Sequence, residues 1–141
     1  MLSTSSAVLI ADDFTAFRSF IRSKLQKNGF NAIVEATDGV EAVAKAVESH
    51  PDLVLLDIGM PGLNGIEAAA RIRLLAPQSK VIFVSQNTDP VLAHSALSDG
   101  AEGYVLKSRV DRDLMRAIEA VVDGKKFISP GLRPPSTQTF S

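Results

Sequence analysis

The stretch Leu53-Val54-Leu55-Leu56-Asp57-Ile58-Gly59-Met60-Pro61-Gly62-Leu63-Asn64-Gly65 carries the reading of the fold. Four apolar residues without polar alternation predict a strand covered on both faces, the habit of a parallel sheet. A lone Asp follows at once, then a turn rich in Gly and Pro. Asn64, with Glu67 three residues on, is a variant of the capping box and opens a helix.

The same alternation runs outward in both directions. Apolar runs recur at Ala7–Ala11, Ala32–Glu35, Val81–Val84 and Gly103–Leu106, with amphipathic segments between them. In the first segment Phe17, Phe20, Ile21 and Leu25 are assigned to one inward face, and Asn28-Gly29 stops it. The second carries Val40, Val43 and Val47 and ends at His50-Pro51. The third places Ile66, Ala69 and Ile72 inward, and the fourth runs from about Asp89 to Gly100. The fifth carries Leu114, Ile118, Val121 and Val122 and closes at Gly124. Five strands alternating with five helices imply right-handed crossovers and an α/β three-layer sandwich around a five-stranded parallel sheet. Residues 1–128 are assigned to this domain, and the Pro- and Ser-rich residues 129–141 to a tail or the start of an interdomain linker.

Composition narrows the function classes. The 141 residues match the size of one domain, and 45% hydrophobic with 22% charged residues excludes a disordered chain. Fifteen Lys and Arg against 16 Asp and Glu leave a net charge of −1, so no basic surplus points to nucleic acid or an anionic membrane. The lack of cysteine excludes disulfides, thiol nucleophiles and Cys-ligated metals, and suits a reducing, cytoplasmic setting. The apolar run Ala7–Ala11 is too short, and wrongly flanked, for a signal peptide or membrane span.

In an open parallel sheet, ligands bind beyond the carboxyl ends of the strands. Asp12-Asp13 follow the first run, Asp57 the third, Ser85 the fourth and Lys107 the fifth; the second ends in Glu35-Ala36-Thr37 and offers nothing as pointed. Three carboxylates on one rim repel unless a cation neutralises them, and an all-oxygen set suits Mg²⁺, with Mn²⁺ as the other choice. A lysine beside them opposes a cation, and makes sense where an anion must also bind. Carboxylate, hard cation, hydroxyl and ammonium around one point make a phosphoryl-transfer site, and Asp57, alone at the end of the central strand, is the candidate nucleophile. Each residue alone has an ordinary explanation: Asp12 or Asp13 as helix cap, Asp57 as turn cap, Ser85 as strand end, Lys107 as solvated surface. Four strand ends carrying such residues together favour the joint reading. His50 and His94 lack partners at ligand spacing and read as surface histidines, and the mixed charges from Arg109 to Arg116 read as a solvated helix entry.

The motifs Ile10-Ala11-Asp12-Asp13, Leu55 to Gly65, Val84-Ser85 and Gly103-Tyr104-Val105-Leu106-Lys107 resemble the receiver domain of bacterial two-component response regulators, over about residues 7–128. The ending Ala117 to Pro130 further resembles receivers of the LuxR/NarL-type subfamily, which carry a helix-turn-helix output domain. The resemblance implies a flavodoxin-like sheet of strand order 2-1-3-4-5. It makes Asp57 the phosphoacceptor, with Mg²⁺ held by Asp13, Asp57, Asp12 (mostly through water) and the Gly59 backbone carbonyl. Lys107 and Ser85 would bind phosphoryl oxygens and Tyr104 would rotate in behind Ser85, switching the surface of helix four, strand five and helix five. The implied partners are a sensor histidine kinase or phosphotransfer protein, and a second copy in a homodimer.

This sequence departs from the family pattern in places. Gln86 stands where a small residue usually leaves room for the phosphodonor, Gly59 offers no side chain to an attacking water, and Ser108 replaces a frequent proline. The resemblance implies signalling by self-phosphorylation and self-dephosphorylation, without turnover of other substrates. DNA binding is not expected of this chain itself, since a helix-turn-helix would need residues beyond Ser141. A Mg²⁺-dependent phosphatase with an aspartyl nucleophile, a free-standing receiver acting by protein contact, and a module that only holds metal are the competing readings.

Overall fold

Runs of Val, Ile and Leu leave a strand with no face suited to water, and such strands survive only between layers of helix. In the computed structural model, which describes residues 6–132, the five runs lie side by side. They are β1 (Ala7–Ala11), β2 (Ala32–Ala36), β3 (Leu53–Leu56), β4 (Lys80–Ser85) and β5 (Gly103–Leu106). A short β6 (Phe127–Ile128) adds a sixth strand, and the sheet is ordered β2-β1-β3-β4-β5-β6 with every pair parallel. The helices are α1 (Thr15–Lys27), α2 (Gly39–Ser49), α3 (Gly65–Leu75), α4 (Pro90–Ser98) and α5 (Val110–Val122).

The alternate side chains of each strand feed two separate cores. Ile21 and Leu25 of α1 join Leu114, Ala117, Ile118 and Val121 of α5 against Val8, Ile10, Leu53, Leu55, Ile82 and Val105. On the other face, Ala42 and Ala46 of α2, Ala68, Ala69 and Ile72 of α3, and Ala93 and Ala96 of α4 cover Leu9, Val54, Leu56, Val81, Phe83 and Tyr104.

Two helix faces differ from the sequence expectation. In α2 the inward stripe is Ala42–Ala46 with Val43 beside it, while Val40 and Val47 are exposed at 62% and 40%. Alanines let a helix lie close to its neighbours, and here they occupy the buried stripe that the larger valines were expected to fill. In α1, Phe20 lies at the margin of the Ile21–Leu25 stripe and is exposed, its ring 6.4 Å from that of Phe17.

Helix ends follow the expected chemistry. The Asn64 side chain accepts from the Glu67 N–H at 3.0 Å, and Asp38 and Asp89 cap α2 and α4 in the same way. Gly65 has a steric reason to be glycine, since a Cβ there would stand 2.2 Å from the Asp57 carbonyl oxygen. Its N–H donates to the Ile58 carbonyl at 2.8 Å, so α3 begins pressed against the end of β3. No peptide bond among the described residues is cis, the Lys107–Ser108 bond included.

The boundary drawn after Ile128 cuts through packed structure. Ser129 and Leu132 are buried, and Pro130–Leu132 form a single 3₁₀ turn. The Ser129 N–H donates to the Tyr104 carbonyl, and its hydroxyl accepts from the Leu106 N–H at 3.0 Å while donating to Asp113 Oδ2 at 2.8 Å. Asp113, expected on a solvated helix entry, is fully buried and also takes the Arg109 guanidinium at 2.8 Å. The rest of the proposed tail, 133–141, lies outside the described residues.

Replacing Ser129 with Ala strips Asp113 of one donor and Leu106 of its acceptor, and should cost about 1–3 kcal/mol of stability. Urea unfolding is the check, and Gln86→Ala, at an exposed side chain outside both cores, is the control, expected to change stability little.

Candidate functional site

Register alone brings the polar residues together. Ala11 pairs with Leu56, so Asp12 and Asp57 emerge one step later at the same level; Ser85 pairs with Leu106, so Lys107 emerges one step beyond Ser85. Two more ladder bonds lock the level, from the Asp57 N–H to the Ala11 carbonyl at 2.9 Å and from the Asp12 N–H to the Ala36 carbonyl at 3.1 Å. The sheet order changes direction between β1 and β3, which puts this rim at the crevice expected of an open parallel sheet.

Carboxylate oxygens of Asp12, Asp13 and Asp57 lie within 4.8 Å of one another. Asp12 and Asp57 are buried and Asp13 is exposed. The Lys107 ammonium stands 2.6 Å from Asp12 Oδ2 and 3.7 Å from Asp57 Oδ2, closer to the first than to the expected nucleophile. The shorter contact is poorly aligned as a hydrogen bond, so Asp12 Oδ2 is compensated by charge. Asp12 Oδ1 accepts from the Phe14 N–H at 2.8 Å in a local turn. Neither Asp12 nor Asp13 is the N-cap of α1, which is Phe14 without a side-chain cap. Lys107 also lies 4.4 Å from the Phe17 ring centroid and 5.4 Å from that of Phe14, within cation–π range.

Burial pushes the Asp57 carboxyl above the usual carboxylate range; the Lys107 charge opposes the shift and the Asp12 charge adds to it. A cleft of about 470 Å³ opens over this carboxylate, lined by Asp13, Gly59, Ser85, Gln86 and Lys107 among others. A Cβ on Gly59 would meet nothing within 4 Å, so that stretch of wall is open. Gln86 is exposed at the rim. Ser85 Oγ accepts from the Asn87 N–H at 3.0 Å, and its hydroxyl lies in the cleft wall within reach of the Tyr104 hydroxyl. Tyr104 is fully buried, its hydroxyl donating to the Asn87 carbonyl at 2.9 Å and its ring 6.3 Å from that of Phe83. Burial also pushes its hydroxyl pKa up, with Ser85 working against the shift.

All eight residues singled out in the sequence therefore bear on one region. Asp13, Asp57, Gly59, Ser85, Gln86 and Lys107 line the cleft, Asp12 pairs with Lys107, and Tyr104 stands behind Ser85 through the shared Asn87 backbone. His50 is exposed, as expected. His94 departs from the surface reading, because its Nε2 is buried without a hydrogen-bond partner.

The end of β2 is not empty. Glu35 takes the Arg18 guanidinium at 2.9 Å and the Arg22 guanidinium at 2.6 Å, and Arg18 in turn donates to the Asp12 carbonyl at 2.8 Å. Burial works to raise the Glu35 carboxyl, but the two arginines outweigh it and hold the group below the usual range. The available signal was an acidic residue closing an apolar strand beside a helix carrying two arginines one turn apart.

Three carboxylates with an unaligned buried oxygen form a hard, all-oxygen donor set, so the residues present fit Mg²⁺. Among the described residues no helix is long and apolar enough to cross a membrane.

Comparison with known proteins agrees with this geometry. Residues 8–119 match the family described as the response regulator receiver domain. The oxygen regulatory protein NreC of Staphylococcus aureus is 33% identical over 135 residues, which are 94% of this chain and 62% of NreC. The transcriptional regulatory protein NarL of Mycobacterium tuberculosis is 32% identical over 127 residues, 89% of this chain and 58% of NarL. The chain thus spans roughly three fifths of the curated relatives it matches. A LuxR-family response regulator from Aurantimonas sp. SI85-9A1 superposes with a TM-score of 0.82 at 30% identity, covering 91% of this chain and 92% of that one. The isolated receiver domain of RcsB from Salmonella enterica serovar Typhimurium, solved with the phosphomimetic BeF3⁻, gives 0.83 at 27% identity, covering 91% of this chain and 96% of that one. A family match over most of the chain, supported by relatives and folds of this kind, establishes that the chain belongs to the response regulator receiver domains of two-component systems, in their LuxR/NarL-type branch.

Proposed function

We propose that Asp57 accepts a phosphoryl group from a sensor histidine kinase or phosphotransfer protein, and that this switches the α4-β5-α5 surface toward an output. One observation carries the reading: an ammonium, a serine hydroxyl and two further carboxylates gather with one buried Asp around an open cleft. In the step itself an Asp57 oxygen attacks the donor phosphorus. A P–O bond forms, the P–N bond to the donor imidazole breaks, and its electron pair returns to the ring nitrogen, which takes a proton.

Asp12, Asp13 and Asp57, with the Gly59 carbonyl, would hold Mg²⁺. When bound, the ion would screen the carboxylates and offset negative charge on the incoming group. Lys107 would follow the phosphoryl oxygen, and its rival contact with Asp12 is the one it must loosen. Ser85 would donate to a second oxygen, and Tyr104 already occupies the buried place behind it. Phosphorylation adds roughly −1.5 to −2 charges, giving Ser85 and Lys107 partners that exist in one state only. Gln86 at the rim is placed to slow entry of a bulky donor.

The relatives named as transcriptional regulators suggest an output on transcription, through a helix-turn-helix domain that the described residues do not form. Action in the cytoplasm, pairing of two copies, and the absence of turnover on free substrates belong to the same proposal.

Incubation with acetyl phosphate and Mg²⁺ should add one phosphoryl group per chain by mass, and Asp57→Asn should abolish it. Sustained hydrolysis of small phosphate esters would favour the phosphatase reading instead, and an unmodified wild type would overturn the proposal.

Asp57 also makes a stability prediction. Its folded pKa is raised, so its contribution favours the fold only below the usual carboxylate range and is lost as pH rises through the folded value. In chelator, Asp57→Asn should therefore melt higher than wild type at neutral pH, with the gap closing as the buffer is acidified. Melting curves from acid to neutral pH are the check.

A further inference from the structure

The acidic turn after β1 has to hold two carboxylates against their own repulsion, and its backbone is tied at both ends of Asp12. The Asp12 N–H goes to the Ala36 carbonyl of β2. The Asp12 carbonyl takes Arg18 Nη1 at 2.8 Å. That carbonyl belongs to the peptide plane shared with Asp13, so fixing its direction limits both residues' torsions together. Arg18 is itself held: its side chain is 11% exposed, Nε donates to Glu35 Oε1 at 2.9 Å, and Nη2 reaches Thr15 Oγ1 at 3.4 Å. Glu35 is anchored in turn by Arg22 at 2.6 Å and through its own carbonyl by Lys45 at 2.6 Å.

We propose that Arg18 is a positioning residue for the cation site: aimed by Glu35, its guanidinium sets the Asp12–Asp13 peptide and thereby the stance of both carboxylates toward Mg²⁺. The inference rests on the receiver reading and adds to it residues that touch neither phosphate nor metal. The rigid fork matters because one group must serve Glu35 and the Asp12 carbonyl from different nitrogens, which a lysine ammonium on a flexible stem does not reproduce.

Charge and position predict opposite signs. Arg18 brings a positive charge close to a cation site, so by charge alone Arg18→Met would tighten Mg²⁺ binding and Arg18→Lys would leave it unchanged. As a positioning residue, both variants must weaken it, by roughly tenfold or more if Arg18 behaves like other groups that orient metal ligands. The measurement is calorimetric titration of the full chain with Mg²⁺, repeated with Mn²⁺ by electron paramagnetic resonance. Glu35→Gln, which keeps an acceptor for the guanidinium but weakens its hold, should show a smaller loss, of the sign that charge alone also gives. If Arg18→Met fails to fold in chelator, Arg18→Lys carries the test, since charge alone leaves it unchanged whereas the positioning role requires a loss. With acetyl phosphate, the Mg²⁺ concentration giving half-maximal phosphorylation should rise while the rate at saturating Mg²⁺ stays near wild type; a merely structural role has no reason to divide the two.

Mg²⁺ affinities equal to or tighter than wild type in Arg18→Lys and Arg18→Met overturn the role of Arg18 and leave the receiver reading intact. A wild-type chain that neither binds Mg²⁺ nor takes a phosphoryl group overturns both.

Discussion

Parallel register forces like charges together at the rim of this sheet, and much of the molecule answers that constraint. Two full charges 4.8 Å apart repel by roughly 3 kcal/mol at an effective dielectric of about 20. Asp12 and Asp57 are also largely out of water, so solvent screens little. The compensation comes from one ammonium, Lys107, carried on the far side of β4 and steadied over two phenylalanine rings. The two apolar cores supply the rigidity that keeps the carboxylates from drifting apart. Local relief of this kind at a functional rim, supported by well-packed layers beneath, is what consistency across levels predicts.

Lys107 is shared unequally. Its closer approach to Asp12 places the positive charge between two buried carboxylates, nearer the one than the other. Any anion arriving at Asp57 competes with Asp12 for the same ammonium, while any cation arriving at Asp12 loosens it. On the proposed reading the two ligands would help each other across one side chain, with no long-range path required.

How much was legible in the sequence depended on the range of the interaction. Strand positions and the cap at Asn64 follow from neighbours in the chain, and the structure places them as read. Residues at the strand ends were legible because an alternating α/β chain implies one rim, whatever the details of packing. The buried face of α2 was misread because Val outranks Ala in apolarity, whereas close packing favours the smaller residue. Asp113 and Ser129 were unreadable for a different reason: each becomes a sensible buried group only once the other is beside it, 16 residues away in sequence. Glu35 and Arg18 share that property, and strand-end residues already matched by a helix look idle until the helix is placed.

The segment after α5 has a consequence for behaviour at high concentration. An open strand margin offers its amide and carbonyl groups to any extended peptide and is the usual point of entry for sheet-to-sheet association. Here Phe127, Ile128 and the Ser129 backbone occupy the outer side of β5, and the replacement margin is only two residues long before Pro130 turns it away. At this margin, though not at the β2 edge, the chain gives foreign strands too little template to grow on.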